Sequence, residues 1–153
     1  MGDAYHGLTA DQVIEMLDLE PHPEGGHFKE IHRHSGSDGA RGAVTTIYFL
    51  LKAGERSHWH RVTDAEEIWC WHAGAALELL IHAAGGARET HVLGMDLMSG
   101  QRPQAVVPIN GWQAARPLGD WTLVGCQVAP AFEFSSFELA PPGYDPSEAT
   151  GKG

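Results

Sequence analysis

The sequence predicts an all-β domain, an antiparallel sandwich or barrel preceded by one short helix. From residue 28 onward, short runs rich in Val, Ile, Thr, Tyr, Phe and Trp alternate with turns containing Gly, Pro and Asp. The 19 glycines and 9 prolines interrupt the chain too often for long central helices. Its 153 residues suffice for one hydrophobic core and are too few for two ordinary domains. Antiparallel strands in such a domain need to close on themselves or shield their edges.

The helix is expected over Thr9 to Leu19. Thr9 and Gln12 have the spacing of a capping box, and Val13, Met16 and Leu17 recur at helical spacing, with Pro21 and Pro23 expected to end the element. Strands are then expected at 28–33, 44–51, 57–61, 67–71, 77–82, 89–93, 105–108, 113–116 and 123–128, the turns between them marked by signals such as Gly25-Gly26 and Gly85-Gly86. Residues 1–140 read as one domain. Residues 141–153, which open with two adjacent prolines and continue with small and charged residues, read as a flexible tail.

Ten Lys and Arg stand against twenty Asp and Glu, a formal net charge of -10, with the acids scattered rather than run together. Such a balance disfavours nonspecific binding to nucleic acid or to anionic membranes and still leaves room for a local basic pocket. Cys70 and Cys126 are too few and too far apart for a disulfide scaffold or a CxxC site, and read as reduced, buried thiols. With no basic segment leading into an apolar signal core, and no apolar run of membrane-spanning length, a cytoplasmic protein is expected. Walker A, GxSxG and HExxH patterns are absent.

The most informative polar stretch is Gly54-Glu-Arg-Ser-His58-Trp-His60, followed by Glu66-Glu67 and Gly74. On a regular strand, His58 and His60 have the two-residue period that sends both imidazoles to one face and Trp59 to the other. Glu67, on the next strand, is the carboxylate placed to join them in a site suited to Fe, Mn, Ni or Zn; regular alternation puts Glu66 opposite it. The same histidines suit hydrogen bonding in a polar barrel mouth, or acid–base chemistry without metal.

The stretches His22-Pro-Glu-Gly-Gly-His27-Phe-Lys-Glu30, Thr46-Ile-Tyr-Phe-Leu-Leu51, Ser57-His-Trp-His-Arg61, Asp64-Ala-Glu-Glu-Ile-Trp69, Gly100-Gln-Arg-Pro-Gln104, Val107-Pro-Ile-Asn-Gly-Trp-Gln113 and Leu123-Val-Gly-Cys-Gln-Val-Ala-Pro130 resemble the cupin superfamily and, more closely, its family of unknown function DUF985. The resemblance implies a double-stranded β-helix, the cupin jelly roll, with a small-molecule cavity and commonly a homodimeric assembly. Gly54, His58, His60, Glu67 and Gly74 resemble the first cupin motif, with a longer His-to-Glu gap than the common metal-site version. Gly100 through Pro108 and Gly111 resemble the second, with Trp112 and Gln113 where a metal-binding cupin would usually supply another histidine. The implied ligand set for a divalent transition metal is therefore His58, His60, Glu67 and Gln113, and a neutral amide is a poorer donor than imidazole.

Gly26-His-Phe-Lys-Glu30 is also similar to the early strand of cupin-like deoxysugar-nucleotide epimerases, which work without metal. That resemblance implies Arg33, Arg61 and Arg102 as holders of anionic substrate groups, His60 as base, His58 as its neighbour and Tyr48 as proton donor. Glu30, Thr46, Glu67, Trp69, Gln101, Arg102, Gln104 and Gln113 are the remaining candidates for a polar pocket. Three functions follow as expectations: binding of a polar small molecule in the barrel, metal-independent epimerisation or isomerisation of a sugar nucleotide, and metal-dependent oxygenase or isomerase chemistry.

Overall fold

Capping chemistry sets the first element in a computed structural model that describes residues 7–149. Helix α1 (Ala10–Leu17) starts at Thr9, whose Oγ1 accepts from the Gln12 amide at 3.2 Å while the Thr9 amide donates to Gln12 Oε1 at 2.9 Å. It ends earlier than the prolines suggested. Asp18 takes a left-handed conformation with φ 57°, and its N–H closes the last turn on Glu15 and Ile14, so Pro21 falls in the strand that follows.

The strands are β1 (Glu20–Pro21), β2 (His27–Arg33), β3 (Thr45–Lys52), β4 (Ser57–Val62), β5 (Glu66–Gly74), β6 (Leu77–His82), β7 (Arg88–Leu93), β8 (Gln104–Val107), β9 (Trp112–Pro117), β10 (Trp121–Ala129) and β11 (Phe137–Leu139), followed by the short helix α2 (Pro146–Ala149). Nine overlap the strands expected from sequence. The two unforeseen ones, β1 and β11, have two and three residues, too short to show a period and recognisable only through their pairing with β2 and β4.

Two antiparallel sheets face each other, one ordered β1-β2-β3-β10-β5-β8 and the other β11-β4-β9-β6-β7. This is the double-stranded β-helix. Alternation along the strands sends Phe49, Leu51, Trp69, Leu77, Leu79 and Ile81 into the space between the sheets. The opposite face of β3 carries Tyr48 and Leu50 into a separate cluster under α1, with Val13, Leu19, Ala73 and Trp121. Trp59 packs in a third cluster with Ala114, Ala140, Trp112 and Tyr144.

Register shifts occur on β2, between Glu30 and His32, on β4 and on β5. Ser57 pairs with Ala115 and His60 with Gln113, so three steps on β4 match two on β9. That extra residue is a bulge, and it breaks the two-residue period between His58 and His60. On β5, Trp71 pairs with Val124 and Ala73 with Leu123, leaving His72 as the inserted residue.

Within the segment expected as a tail, Tyr144 stacks at 5.1 Å on Trp112, and Arg88 bonds Asp145 and Ser147; residues 150–153 lie outside the described residues. Cys126 is a buried free thiol and Cys70 a half-buried one. Among the described residues no helix is long and apolar enough to cross a membrane.

Leu79 sits fully buried between the sheets, so Leu79→Ala is expected to cost about 2–5 kcal/mol in urea unfolding. Met16→Ala, on the exposed side of α1, is expected to stay within about 0.5 kcal/mol of the parent.

Candidate functional site

A cavity of about 500 Å³ opens between the sheets. Its walls come from the inward positions of the strands: Thr45 and Ile47 on β3, His60 and Val62 on β4, Glu67 on β5, and Cys126 and Val128 on β10. Phe28, Phe132, Phe134 and Phe137 add an aromatic wall. Most of this lining is apolar, which makes the ionisable groups within it conspicuous.

Glu24 arrives from the turn between β1 and β2. The His22 amide donates to Gly26 O at 2.9 Å and the Gly25 amide to His22 O at 3.0 Å, closing a tight reversal. Gly25 has φ 107°, and a Cβ there would lie 2.3 Å from the Arg56 carbonyl oxygen, so only glycine lets this turn press against the chain leading into β4. At the bulge on β4, the His58 amide donates to Glu24 O at 3.0 Å, while His58 O accepts from His60 Nδ1 at 2.8 Å. One bulge residue thus anchors the turn that carries Glu24 and orients the imidazole that meets it.

His60 Nε2 lies 3.0 Å from Glu24 Oε2, with both side chains almost wholly buried. Burial opposes a charge on His60, but the charge and hydrogen bond of Glu24, reinforced by Glu67, prevail and raise its pKa to about 9. Burial likewise opposes ionisation of Glu24, yet His60 holds this carboxyl below its ordinary range. Burial also pushes His22 down, so it is neutral, and its Nδ1 accepts the Glu24 amide proton at 3.1 Å.

At Glu67 burial prevails over its partners. Burial, with repulsion from Glu24, raises its pKa to about 7 against the opposing pull of His60 and Gln113. Glu67 Oε2 accepts from Gln113 Nε2 at 2.7 Å, and Gln113 Oε1 accepts from the Trp69 indole N–H, also at 2.7 Å. An indole can only donate, so Trp69 fixes the amide orientation and aims its NH₂ at the carboxylate. Burial, with Glu67 and Glu24 adding to it, pushes the Cys126 thiol well above its ordinary value.

At the mouth, Lys29 Nζ pairs with Asp18 at 2.9 Å. Arg33 forks onto both oxygens of Glu30, at 2.6 and 3.3 Å, and its third bond goes to Phe132 O at 2.8 Å.

Of the residues nominated from sequence, His60, Glu67, Glu30 and Arg33 line the cavity, with Trp69 and Gln113 fully buried behind Glu67. The expected convergence of His58 and His60 is corrected by the bulge: the His58 ring lies outside the lining, its Nε2 3.1 Å from Pro141 O. Tyr48 and Thr46 are on the other face of β3, Tyr48 against the α1 cluster and Thr46 accepting from Gln127. Arg61 pairs with Glu138 and covers Trp112. Arg102 and Gln101 bond within their own loop, to the carbonyls of Leu97 and Gln101 and to the Asp96 amide respectively, and Gln104 is exposed on β8.

Nor do the four residues nominated as metal ligands fit one ion. His58 is elsewhere, and Gln113 spends its oxygen on Trp69 and presents N–H groups to Glu67. Among the described residues no group of three or more His, Cys, Asp or Glu side chains is arranged to hold a metal. Sequence reasoning missed Glu24, His22, Thr45 and Lys29. The available signal for Glu24 was the Gly25-Gly26 pair behind it, which permits an approach to neighbouring backbone that other residues forbid.

The family described as Cupin superfamily (DUF985) matches residues 11–140. Among solved structures, a protein from Shewanella oneidensis is 41% identical with a TM-score of 0.82, covering 87% of this chain and 85% of its own. A hypothetical protein from Leishmania major is 30% identical with a TM-score of 0.77, covering 87% and 88%. An oxalate decarboxylase from Lactobacillus farciminis, at 17% identity and a TM-score of 0.58 over 81% of this chain and 34% of its own, shares the fold. No curated protein matches the chain.

The two raised pKa values set a pH dependence. His60 contributes stability that is complete below its ordinary 6.5 and lost as pH rises towards about 9. Glu67 does the same between 4.5 and about 7, because its folded state also holds the proton more tightly. Urea unfolding across pH is therefore expected to show falling stability from pH 6.5 to 9, while below 6.5 the lowered values of His22 and His72 work against the fall. Glu67→Gln should flatten the part below 7, and Glu24→Gln should abolish the part above 6.5 while costing about 3–5 kcal/mol near neutrality.

Proposed function

The chain belongs to the DUF985 family of the cupin superfamily, and we propose that its barrel cavity binds a polar small molecule. One observation carries this reading: a largely apolar cavity between the sheets has a titratable carboxyl, Glu67, and a buried ion pair, Glu24–His60, on its wall. Buried ionisable groups are costly unless partnered, and a cavity of this volume with convergent polar groups on a largely apolar surface is the usual form of a ligand site. The aromatic wall supplies contact area, while Glu67 and its neighbours supply direction.

A second reading, metal-independent proton transfer, is favoured by Glu67 alone. With a pKa of about 7 it has the poise of a general acid or base near neutrality, which His60, held protonated by Glu24, lacks. The base expected at His60 therefore moves to Glu67, and His60 becomes a fixed positive charge. Tyr48, in the cluster under α1, lies outside the cavity, and so do two of the three arginines expected to hold a sugar nucleotide, Arg61 and Arg102.

Thermal-shift screening of the full chain against polar metabolites is expected to yield a ligand. At 100 times its Kd it would add about 2.7 kcal/mol of stability. Glu67→Gln should weaken that ligand about tenfold or more, while Arg61→Ala and Arg102→Ala leave it unchanged. Binding that depends on either arginine and ignores Glu67 would refute the site. Proton transfer is read from the same ligand in D₂O, as exchange of its acidic C–H that disappears with Glu67→Gln.

A further inference from the structure

Charge in the cavity is unequally distributed. Five carboxylates line it, Asp18, Glu20, Glu24, Glu30 and Glu67, and the groups that carry positive charge at neutral pH are Lys29, Arg33 and His60. Each cation is already engaged by a carboxylate of the same lining: Lys29 by Asp18, Arg33 by both oxygens of Glu30, and His60 by Glu24. Two carboxylates are left over. The Glu20 carboxylate has no hydrogen-bond or ion-pair partner among the described residues, and Glu67 takes its hydrogen bonds from the neutral Gln113 and Cys126, with only the positive charge of His60, already paired with Glu24, beside it.

An anionic ligand entering this space would find no unengaged cation and would have to pull Arg33 away from Glu30 and Phe132 O. Arg61 and Arg102 are outside and do not relieve that cost. A cation meets the opposite situation. Phe132, Phe134 and Phe137 stand edge to face with centroids 5.0, 5.8 and 6.1 Å apart, and Phe134 is 63% exposed at the mouth, an aromatic surface suited to an apolar or positively charged group. The chain's formal charge of -10 draws cations towards it at long range.

We infer that the ligand of this cavity is an amine carried on an apolar or aromatic body, its ammonium drawn by the excess of carboxylates in the lining and its body lying on the phenylalanine wall. The inference rests on the reading of the cavity as a ligand site and narrows it to one charge class. Because Glu67 is poised to titrate near neutrality, an arriving cation favours its ionised form and expels a proton, whereas an anion draws one in.

The test uses three probes of similar shape and different charge, 2-phenylethylamine, 2-phenylethanol and 3-phenylpropionate, titrated into the full chain by calorimetry at pH 7 in buffers of different ionisation enthalpy. The amine is expected to bind at least about tenfold more tightly than the alcohol, to release protons, and to weaken as salt is raised, with the acid weakest of the three. Glu67→Gln should abolish the proton release. Glu20→Gln, a change at the exposed mouth that leaves the buried pair intact, should reduce the preference for amine over alcohol several-fold. Tighter binding of the acid than of the amine, or an amine preference unchanged in both variants, overturns the charge assignment and leaves the ligand site standing. Absence of binding by all three at millimolar concentration overturns both.

Discussion

The buried contact between Glu24 and His60 is the interaction on which the rest of the site depends. Neither charge would persist in this setting without the other, since burial opposes ionisation of both. Holding them 3.0 Å apart requires a glycine turn, an anchoring bond from the His58 amide, and a bulge that frees that amide while turning His60 inward. Burial raises the pKa of Glu67, the pair's positive member pulls it back and its negative member adds to the rise, and the balance leaves that carboxyl titrating near neutrality. The chemistry of the cavity therefore follows from where one turn of backbone rests.

The fold was legible in the sequence because it depends on periodicities and breakers that are local. The runs at 44–51 and 77–82 show their β character in a few residues, and Thr9 with Gln12 declares the start of α1 before any tertiary contact is known. The site was less legible. Strand alternation placed Glu67 inward and Glu66 outward correctly, but it also paired His58 with His60, and a bulge leaves no mark in composition. The same uncertainty of one residue put Thr46 in the pocket where Thr45 stands, because a run such as Val44-Thr-Thr-Ile is β-forming in either phase.

Loop residues were the hardest to place. Arg102 and Gln101 have the chemistry of ligand-binding side chains, yet they satisfy the carbonyl and amide groups of their own turn. Glu24 is equally ordinary as a residue type and becomes distinctive only through the glycines that follow it. The resemblance to metal cupins suggested Gln113 as a ligand, and the buried indole of Trp69, 44 residues away in sequence, assigns its amide to Glu67 instead. Such pairings are decided by which strands meet, so they become visible only with the fold.

Glu24, reinforced by Glu67, holds the buried imidazole of His60 protonated through neutral pH. The most direct measurement is an NMR titration of its ring ¹⁵N and ¹³C shifts in the intact chain. The account predicts an imidazolium at pH 7 that loses its proton only as the pH approaches about 9. A His60 that titrates at or below 6.5, the ordinary histidine value, would contradict it.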